Sequence, residues 1–425
     1  MSSSSHELIL TSSPDGPIIA YEACSGAVMA RFSGSRSPSR GLATAGQGLI
    51  AVSHVSPDTG AGSINVYNWY TSTVFHNLPV PEPVAPLITT LDGAFLFAGG
   101  VSGSIQSLSL PSGDVIKSFV AHSKPVSSLH LNDDGSLVVS GSDDGTIVVT
   151  PTFKLVVESP SLDDPKGLIL HKWEAHSGSV TALNSGIRTL VSCSMDCTIK
   201  FWDLANDGIL IMRTVAFPCP IFGVALDSAV SRFYAAGANG LVYEGRVKIG
   251  SRKLLGKAYE LSTWSKGHGG SVVSLSLVNG GENLVSAAED GGVWMWDVEK
   301  GEVSMVLGSE MGSISDMIVV RGTSEVGVRK GNDNHEVGGA FTSSGLCAKE
   351  MIDTLKQITE LGEIMDVVVQ DKRRAIDMLE SAIDMYERLL KLILKEATKA
   401  IEEHKKEQDK DEEEEGKDAD DKEDE

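Results

Sequence analysis

The chain has 425 residues and a formal charge of −22, an imbalance that excludes unaided binding to nucleic acid or an anionic membrane, because phosphate recognition needs an excess of Lys and Arg. Hydrophobic residues make up 41%, enough for a large core, and no stretch approaches the ~18 uncharged apolar residues of a membrane span, so the chain reads as soluble and intracellular. The charge is uneven: residues 402–425 hold 15 acidic residues against 5 lysines, so that segment carries ten of the 22 negative charges and the body is only mildly acidic.

The opening MSSSSHELIL has neither the basic region nor the long apolar run of a signal peptide. Residues 8–11, 18–21 and 28–32 read as three strands, with Ser13-Pro14-Asp15-Gly16 as the first turn. Residues 48–54 and 64–69 form a second pair around the longer turn 57–62, and 95–98 and 105–108 a third around Val101-Ser102-Gly103. From Ala121-His122 the pattern sharpens, with strands at 137–140 and 147–150 flanking Ser142-Asp143-Asp144-Gly145. The next unit, AHSGSVTALNSGIRTLVSCSMDCTIKFWD at 175–203, places His first and Trp-Asp last, the signature of a WD-repeat propeller blade. A degenerate copy runs through 221–225, 233–236 and 241–245 with Asn239-Gly240 in its turn, and a last full copy runs from Gly267-His268 to Trp296-Asp297.

Equivalent turn positions fall at Gly16, Gly62, Gly103, Gly145, Cys197, Gly240 and Gly291, separated by 46, 41, 42, 52, 43 and 51 residues. WD repeats run at ~40–45 residues. The two long intervals contain the insertions 157–167 and 248–257, both expected on loops at the outer part of a blade. Seven turns imply seven blades. The first lacks its innermost strand, and a leftover strand at 313–320 would supply it, sealing the ring without an open edge. The expected fold is therefore all-β: a seven-bladed WD-repeat β-propeller over residues 1–320.

Residues 321–346, rich in Gly, Ser and charge, read as a flexible linker. Over 347–401 the period changes. Leu355, Ile358, Met365, Val369, Ile376, Leu379, Ile383, Tyr386, Leu390 and Ile393 recur at helical spacings, the pattern of a coiled-coil helix with Lys372 at one core position. The stripe is narrow and its other faces are charged, which favours an oligomerising or partner-binding coil over a helix folded back on the propeller. The acidic segment 402–425 is expected to be disordered, solubilising, or a decoy for basic proteins.

A buried indole N–H needs an acceptor. In WD blades, Trp, a Ser on the second strand, the His before the first strand and the turn Asp form a hydrogen-bonded set. His176, Ser192, Asp196 and Trp202 match it in full, as do His268, Ser286, Asp290 and Trp296. His122, Ser140 and Asp144 match it except for Thr150 in the Trp place, while the first blade offers Thr11, Asp15 and Tyr21. A Ser-His-Asp set also invites a catalytic reading. Here the trio recurs once per blade at fixed offsets from a Trp, whereas an active site would occur once, so the reading is structural and no enzyme activity is expected. Five scattered cysteines point to reduced thiols. Cys193 and Cys197 stand as C-x-x-x-C without a second ligand pair, so they read as buried or turn thiols; no metal or cofactor is expected.

The segments ELILTSSPDGPIIAYEACSGAVMARFSG and LIAVSHVSPDTGAGSINVYNWY, with the terminal helix and acidic tail, resemble the plant ROOT INITIATION DEFECTIVE three-like proteins. These are similar to a eukaryotic family that provides the WD-repeat subunit of the nucleolar large-ribosomal-subunit assembly complex, the rixosome. The resemblance implies a non-enzymatic scaffold supporting large-subunit maturation and pre-rRNA internal-spacer processing. It also implies protein partners that include a helical-repeat scaffold subunit, indirect RNA contact, and location in the nucleus, nucleolus and nucleoplasm. In plants it implies a link to cell division and root or meristem formation. An alternative is the substrate receptor of a cullin-RING ubiquitin ligase. Such receptors usually carry a basic residue two places after Trp-Asp, but Ala205 and Glu299 stand there.

Overall fold

The computed structural model describes residues 7–321, apart from 46–47, 70–71, 111, 158–164, 187, 206–207, 248–260 and 309–311. Among the described residues, twenty-eight strands form seven four-stranded antiparallel sheets. Blade 1 contains β1 (Glu7–Ser12), β2 (Ile18–Glu22) and β3 (Val28–Phe32). Blade 2 contains β4 (Leu42–Ala45), β5 (Leu49–Val55), β6 (Gly62–Asn68) and β7 (Val74–Pro79). Blade 3 contains β8 (Val84–Thr89), β9 (Phe95–Gly100), β10 (Ser104–Ser109) and β11 (Val115–Val120). Blade 4 is β12 (Val126–Leu131), β13 (Leu137–Ser142), β14 (Thr146–Pro151) and β15 (His171–Glu174), and blade 5 is β16 (Val180–Gly186), β17 (Thr189–Ser194), β18 (Thr198–Ala205) and β19 (Gly208–Ala216). Blade 6 is β20 (Ile221–Leu226), β21 (Arg232–Gly237), β22 (Leu241–Arg246) and β23 (Ser262–Gly267); blade 7 is β24 (Val272–Val278), β25 (Asn283–Ala288), β26 (Val293–Asp297) and β27 (Glu302–Gly308). A final strand, β28 (Asp316–Arg321), joins blade 1, whose order is β28-β1-β2-β3.

Each blade is sandwiched between two others, and this decides which residues its strands need. Second strands are covered on both faces, so they are unbroken runs of apolar and small residues, as in Thr189–Ser194, where all six are buried. Outermost strands have an open edge and are less covered: Val115–Val120 shows buried positions only at Lys117 and Phe119. The core is accordingly distributed. Seven clusters fill the seven seams between neighbouring blades, for example Val191, Ile199 and Phe201 of blade 5 against Ile221, Phe233 and Tyr243 of blade 6.

The innermost strands run side by side around the centre, β28 lying between β24 and β4. Antiparallel pairing of β1 with β28 extends from Glu7 opposite Arg321 to Ser12 opposite Asp316. Beyond that, Ser315 N donates to Ser12 O at 2.9 Å and the two hydroxyls lie 3.1 Å apart. From the loop before β4, the Arg40 guanidinium crosses to donate to the carbonyl of Phe222 in blade 6, and Leu42 N donates to Asp316 Oδ2 at 3.1 Å.

Local details differ from the sequence expectations. The strand expected at 313–320 is one residue longer at its end and starts at Asp316. In blade 2 the left-handed turn residue is Gly60 (φ 68°), and Gly62 is already the first residue of β6. The 157–167 insertion follows a short helix, α1 (Thr152–Val156), and runs into a second, α2 (Pro165–Leu168), which bury Leu155 and Leu168. Among the described residues no helix is long and apolar enough to cross a membrane. The rest of the linker to residue 346, the coiled coil at 347–401 with its ten stripe residues, and the acidic segment 402–425 lie outside the described residues.

Candidate functional site

The polar sets form where one blade's second and third strands turn, next to the chain entering its first strand. In blade 5, Trp202 Nε1 donates to Ser192 Oγ at 2.9 Å, Ser192 Oγ is 2.7 Å from His176 Nε2, and His176 Nδ1 is 3.0 Å from Asp196 Oδ2. One assignment satisfies every atom: indole N–H to serine oxygen, serine O–H to Nε2, Nδ1–H to carboxylate. The imidazole is then neutral. The left-handed turn residue that aims Asp196 is Cys197 (φ 62°), where the other sharp turns use Gly103, Gly145, Gly240 and Gly291. A Cβ at Gly145 would lie 2.3 Å from the carbonyl oxygen of His176, so the close approach requires glycine there.

Blade 7 brings together His268, Ser286 and Trp296 in the same way, at 2.7 Å and 2.8 Å, but His268 Nδ1 stays 3.6 Å from Asp290 Oδ1 and has no hydrogen bond. One residue differs. Thr198 in blade 5 and Thr146 in blade 4 each donate to the turn Asp at 2.6 Å and touch the histidine Nδ1 at 3.2 and 2.7 Å, whereas Gly292 occupies that place in blade 7. In partial compensation, Trp294 stacks on His268 with ring centroids 4.0 Å apart. In blade 4, His122 Nε2 is 2.8 Å from Ser140 Oγ, and Asp144 reaches the ring through Thr146 rather than directly, at 3.7 Å. Thr150 takes the Trp place, and its buried hydroxyl makes no hydrogen bond. The threonine relay is absent from the sequence reading; its signal was the repeated Asp-x-Thr of 144–146 and 196–198.

The degenerate blades solve the same problem with other atoms. In blade 6, Asn239 Oδ1 accepts from Leu241 N at 3.2 Å and its amide donates to Tyr243 OH at 2.8 Å. Phe233 fills the Trp space over Gly245, where a Cβ would lie 2.3 Å from the ring. In blade 3 a carboxylate stands ahead of the first strand: Glu82 accepts from Ser102 N at 2.9 Å, from Ser102 Oγ at 2.7 Å, and from the Ser104 hydroxyl. Burial raises the Glu82 pKa, but those hydrogen bonds outweigh it and hold the carboxyl below its usual value. In blade 1, Thr11 Oγ1 bonds to Ile19 O at 3.4 Å, and exposed Asp15 pairs with Arg36 at 3.2 Å.

These serines cannot meet a substrate. Ser140, Ser192 and Ser286 are all 0% exposed, and the last two already accept an indole proton. Cys193 is buried on β17, where burial pushes its thiol pKa up and keeps it unreactive, while Cys197 sits at the turn.

The histidines make stability pH-dependent. Burial pushes His122 and His130 down to about 4; it also lowers His176 and His268, outweighing the attraction of Asp196 and Asp290. Unfolding frees each ring to take a proton near ~6.5, so their contribution is complete above ~6.5 and is lost as pH falls toward ~4. Asp316 acts oppositely. Burial raises it to about 6, despite Arg40, so its contribution falls as pH rises from ~4 to ~6. Four rings outweigh one carboxyl, and the melting temperature is expected to drop between pH 7 and pH 4.5. His130, whose Nε2 lies 2.9 Å from Ser185 Oγ, offers a clean check. His130→Gln should remove up to ~1.4 kcal/mol per pH unit from that slope, as read from denaturant melts; an unchanged slope would count against the assignment.

The model of the WD domain, G-beta repeat, matches residues 113–149, 167–203 and 259–297. Each match ends within a third strand or on its last residue, in the blades that hold His122, His176 and His268. The fold is a seven-bladed β-propeller with WD repeats. The propeller is similar to Protein ROOT INITIATION DEFECTIVE 3 of Arabidopsis thaliana, 29% identical over 74% of this chain and 72% of that protein. It is also similar to human WD repeat-containing protein 18, 25% identical over 68% of this chain and 66% of that protein. Pre-rRNA-processing protein crb3/ipi3 of Schizosaccharomyces pombe is 22% identical over 53% of this chain and about half of its own length (51%).

Proposed function

We propose that the protein is a non-enzymatic scaffold subunit of a nuclear assembly that processes pre-rRNA and matures the large ribosomal subunit. The observation that carries this reading is the alignment with a relative named as a pre-rRNA-processing protein, alongside a plant relative that matches about three quarters of the chain. The buried polar sets support it, because their donors and acceptors are used in fastening blades. The finer features follow from the sequence resemblance: a helical-repeat scaffold among the partners, RNA contact through other subunits, nucleolar and nucleoplasmic residence, and a role in plant cell division and root formation. The apolar stripe from Leu355 to Ile393 is the proposed grip for a partner or a second copy. Nothing favours the ubiquitin-ligase alternative, for which Ala205 and Glu299 stand where a basic residue is usual.

Affinity purification of the tagged chain at native abundance, with mass spectrometry, tests the reading. Ribosome-assembly factors at near-stoichiometric amounts are expected, and depletion should accumulate internal-spacer precursors. Recovery of a cullin adaptor in their place would overturn it.

A further inference from the structure

Helix α1 packs one side into the ring and leaves the other bare. Leu155 is buried in the seam between blades 3 and 4, while Phe153 and, just past the helix, Val157 are 60% and 46% exposed. Leu91, in the turn between β8 and β9, is 72% exposed and leans on the next blade, where a Cβ on Gly135 would lie 3.2 Å from its Cδ1. Ser136 O in turn accepts from Thr152 N at 2.8 Å, so Leu91, the 132–136 turn and α1 make one continuous surface. Single exposed apolar side chains are ordinary, but large ones on adjoining segments form a patch suited to a protein contact.

The surroundings select the partner. Asp92, Asp133 and Asp134 are exposed on the two turns beside the patch, and Lys154 of α1 is engaged by the carbonyl of Gly167 at 2.7 Å. A carboxylate rim repels phosphate, which excludes RNA and an anionic lipid surface. It also disfavours a second copy, because a twofold contact would set the same rim against itself. The backbone here is occupied locally: Val157 N donates to Phe153 O at 3.1 Å, and Gly93 N to Thr90 O and Gly135 N to Asn132 O at 2.9 Å each. Side chains, rather than an open strand edge, are what these segments offer, and that suits a helix.

We propose that the α1 patch docks an amphipathic helix of another protein, its apolar stripe flanked by lysine or arginine. The stripe covers Phe153, Val157 and Leu91, and the cations reach Asp133 and Asp134. The inference rests on the scaffold reading and names the chemistry of one partner.

A benzophenone side chain installed at Phe153 of the full chain and irradiated in the native assembly tests it, with the crosslinked peptide sequenced by mass spectrometry. The segment expected belongs to another protein and has apolar residues at i, i+3, i+4 and i+7 with lysine or arginine beside them. Made as a labelled peptide and titrated into the full chain by anisotropy, it should bind Phe153→Ser with Val157→Ser at least about tenfold more weakly, since two apolar contacts are lost. The melting temperature of that variant should not move, because both side chains are exposed. Asp133→Asn should weaken binding about two- to fivefold, and Phe75→Ser, an exposed aromatic on blade 2, should leave it unchanged. A crosslink to RNA, to a second copy or to nothing would overturn the proposal, as would unchanged affinity in the double serine variant. The crosslinked segment is judged by its own sequence and the purification by which factors accompany the chain, so either can fail alone.

Discussion

A chain ended at Gly312 is expected to fail to form a stable ring, whereas one ended at Arg321 should melt cooperatively. The nine residues between them contain β28, which belongs to two seams at once. Ile314 and Met317 are buried between blades 7 and 1, and Ile318 and Val320 pack against the cluster between blades 1 and 2. Burying such side chains contributes about 1.5–3 kcal/mol each. Their sum is of the same order as the ~5–15 kcal/mol that holds an ordinary domain folded. The loss also strips β1 of its partner. Glu7–Ser12, every residue of which is buried, would become an open apolar edge suited to aggregation. Thermal melts and light scattering on the two truncated chains give the answer. A Gly312 chain that stays monomeric and melts with the Arg321 chain would mean that the terminal strand does not hold the ring. If the Arg321 chain is monomeric while the full chain is not, self-association belongs to residues beyond it, in line with the proposed coil.

The blades differ in how plainly they could be read, and the difference is physical. Second and third strands are covered on both faces, so Leu137–Ser142 or Thr189–Ser194 announce themselves as apolar runs. Outermost strands are not. His171–Glu174 and Ser262–Gly267 are mostly polar, because one face and one edge meet solvent, and they gave no signal. The His-Ser-Asp-Trp sets were legible because a buried indole and a buried imidazole each demand a partner of fixed type at fixed spacing. Where that demand disappears, so does the motif: blade 6 swaps it for Phe217, Phe233 and Tyr243, whose rings meet edge to face at 5.4–6.5 Å. Glu82 was invisible for another reason. It does from the chain ahead of the first strand what Asp196 does from the turn, so no register places it.

Replacing Trp202 by Ala should cost far more stability than replacing Trp69 by Ala, although both are tryptophans near the end of a third strand. Trp202 is 6% exposed, stands edge-on to Trp173 with centroids 5.6 Å apart, and packs into the seam between blades 4 and 5. Its removal leaves a cavity and also takes a donor from Ser192 Oγ, which is fully buried. Large-to-small changes at aromatic core sites cost about 3–5 kcal/mol, and disturbing a buried hydrogen-bond chain adds about 1–3 kcal/mol. Trp69 lies just past β6, only partly buried, against Phe32 at 5.7 Å, and belongs to no polar set. Its loss should cost a fraction of that. Trp202→Phe separates the two contributions, since it restores most of the volume but not the N–H; an intermediate melting temperature is expected. Equal shifts for the two alanine variants would mean that the polar sets add nothing to the packing of the blades.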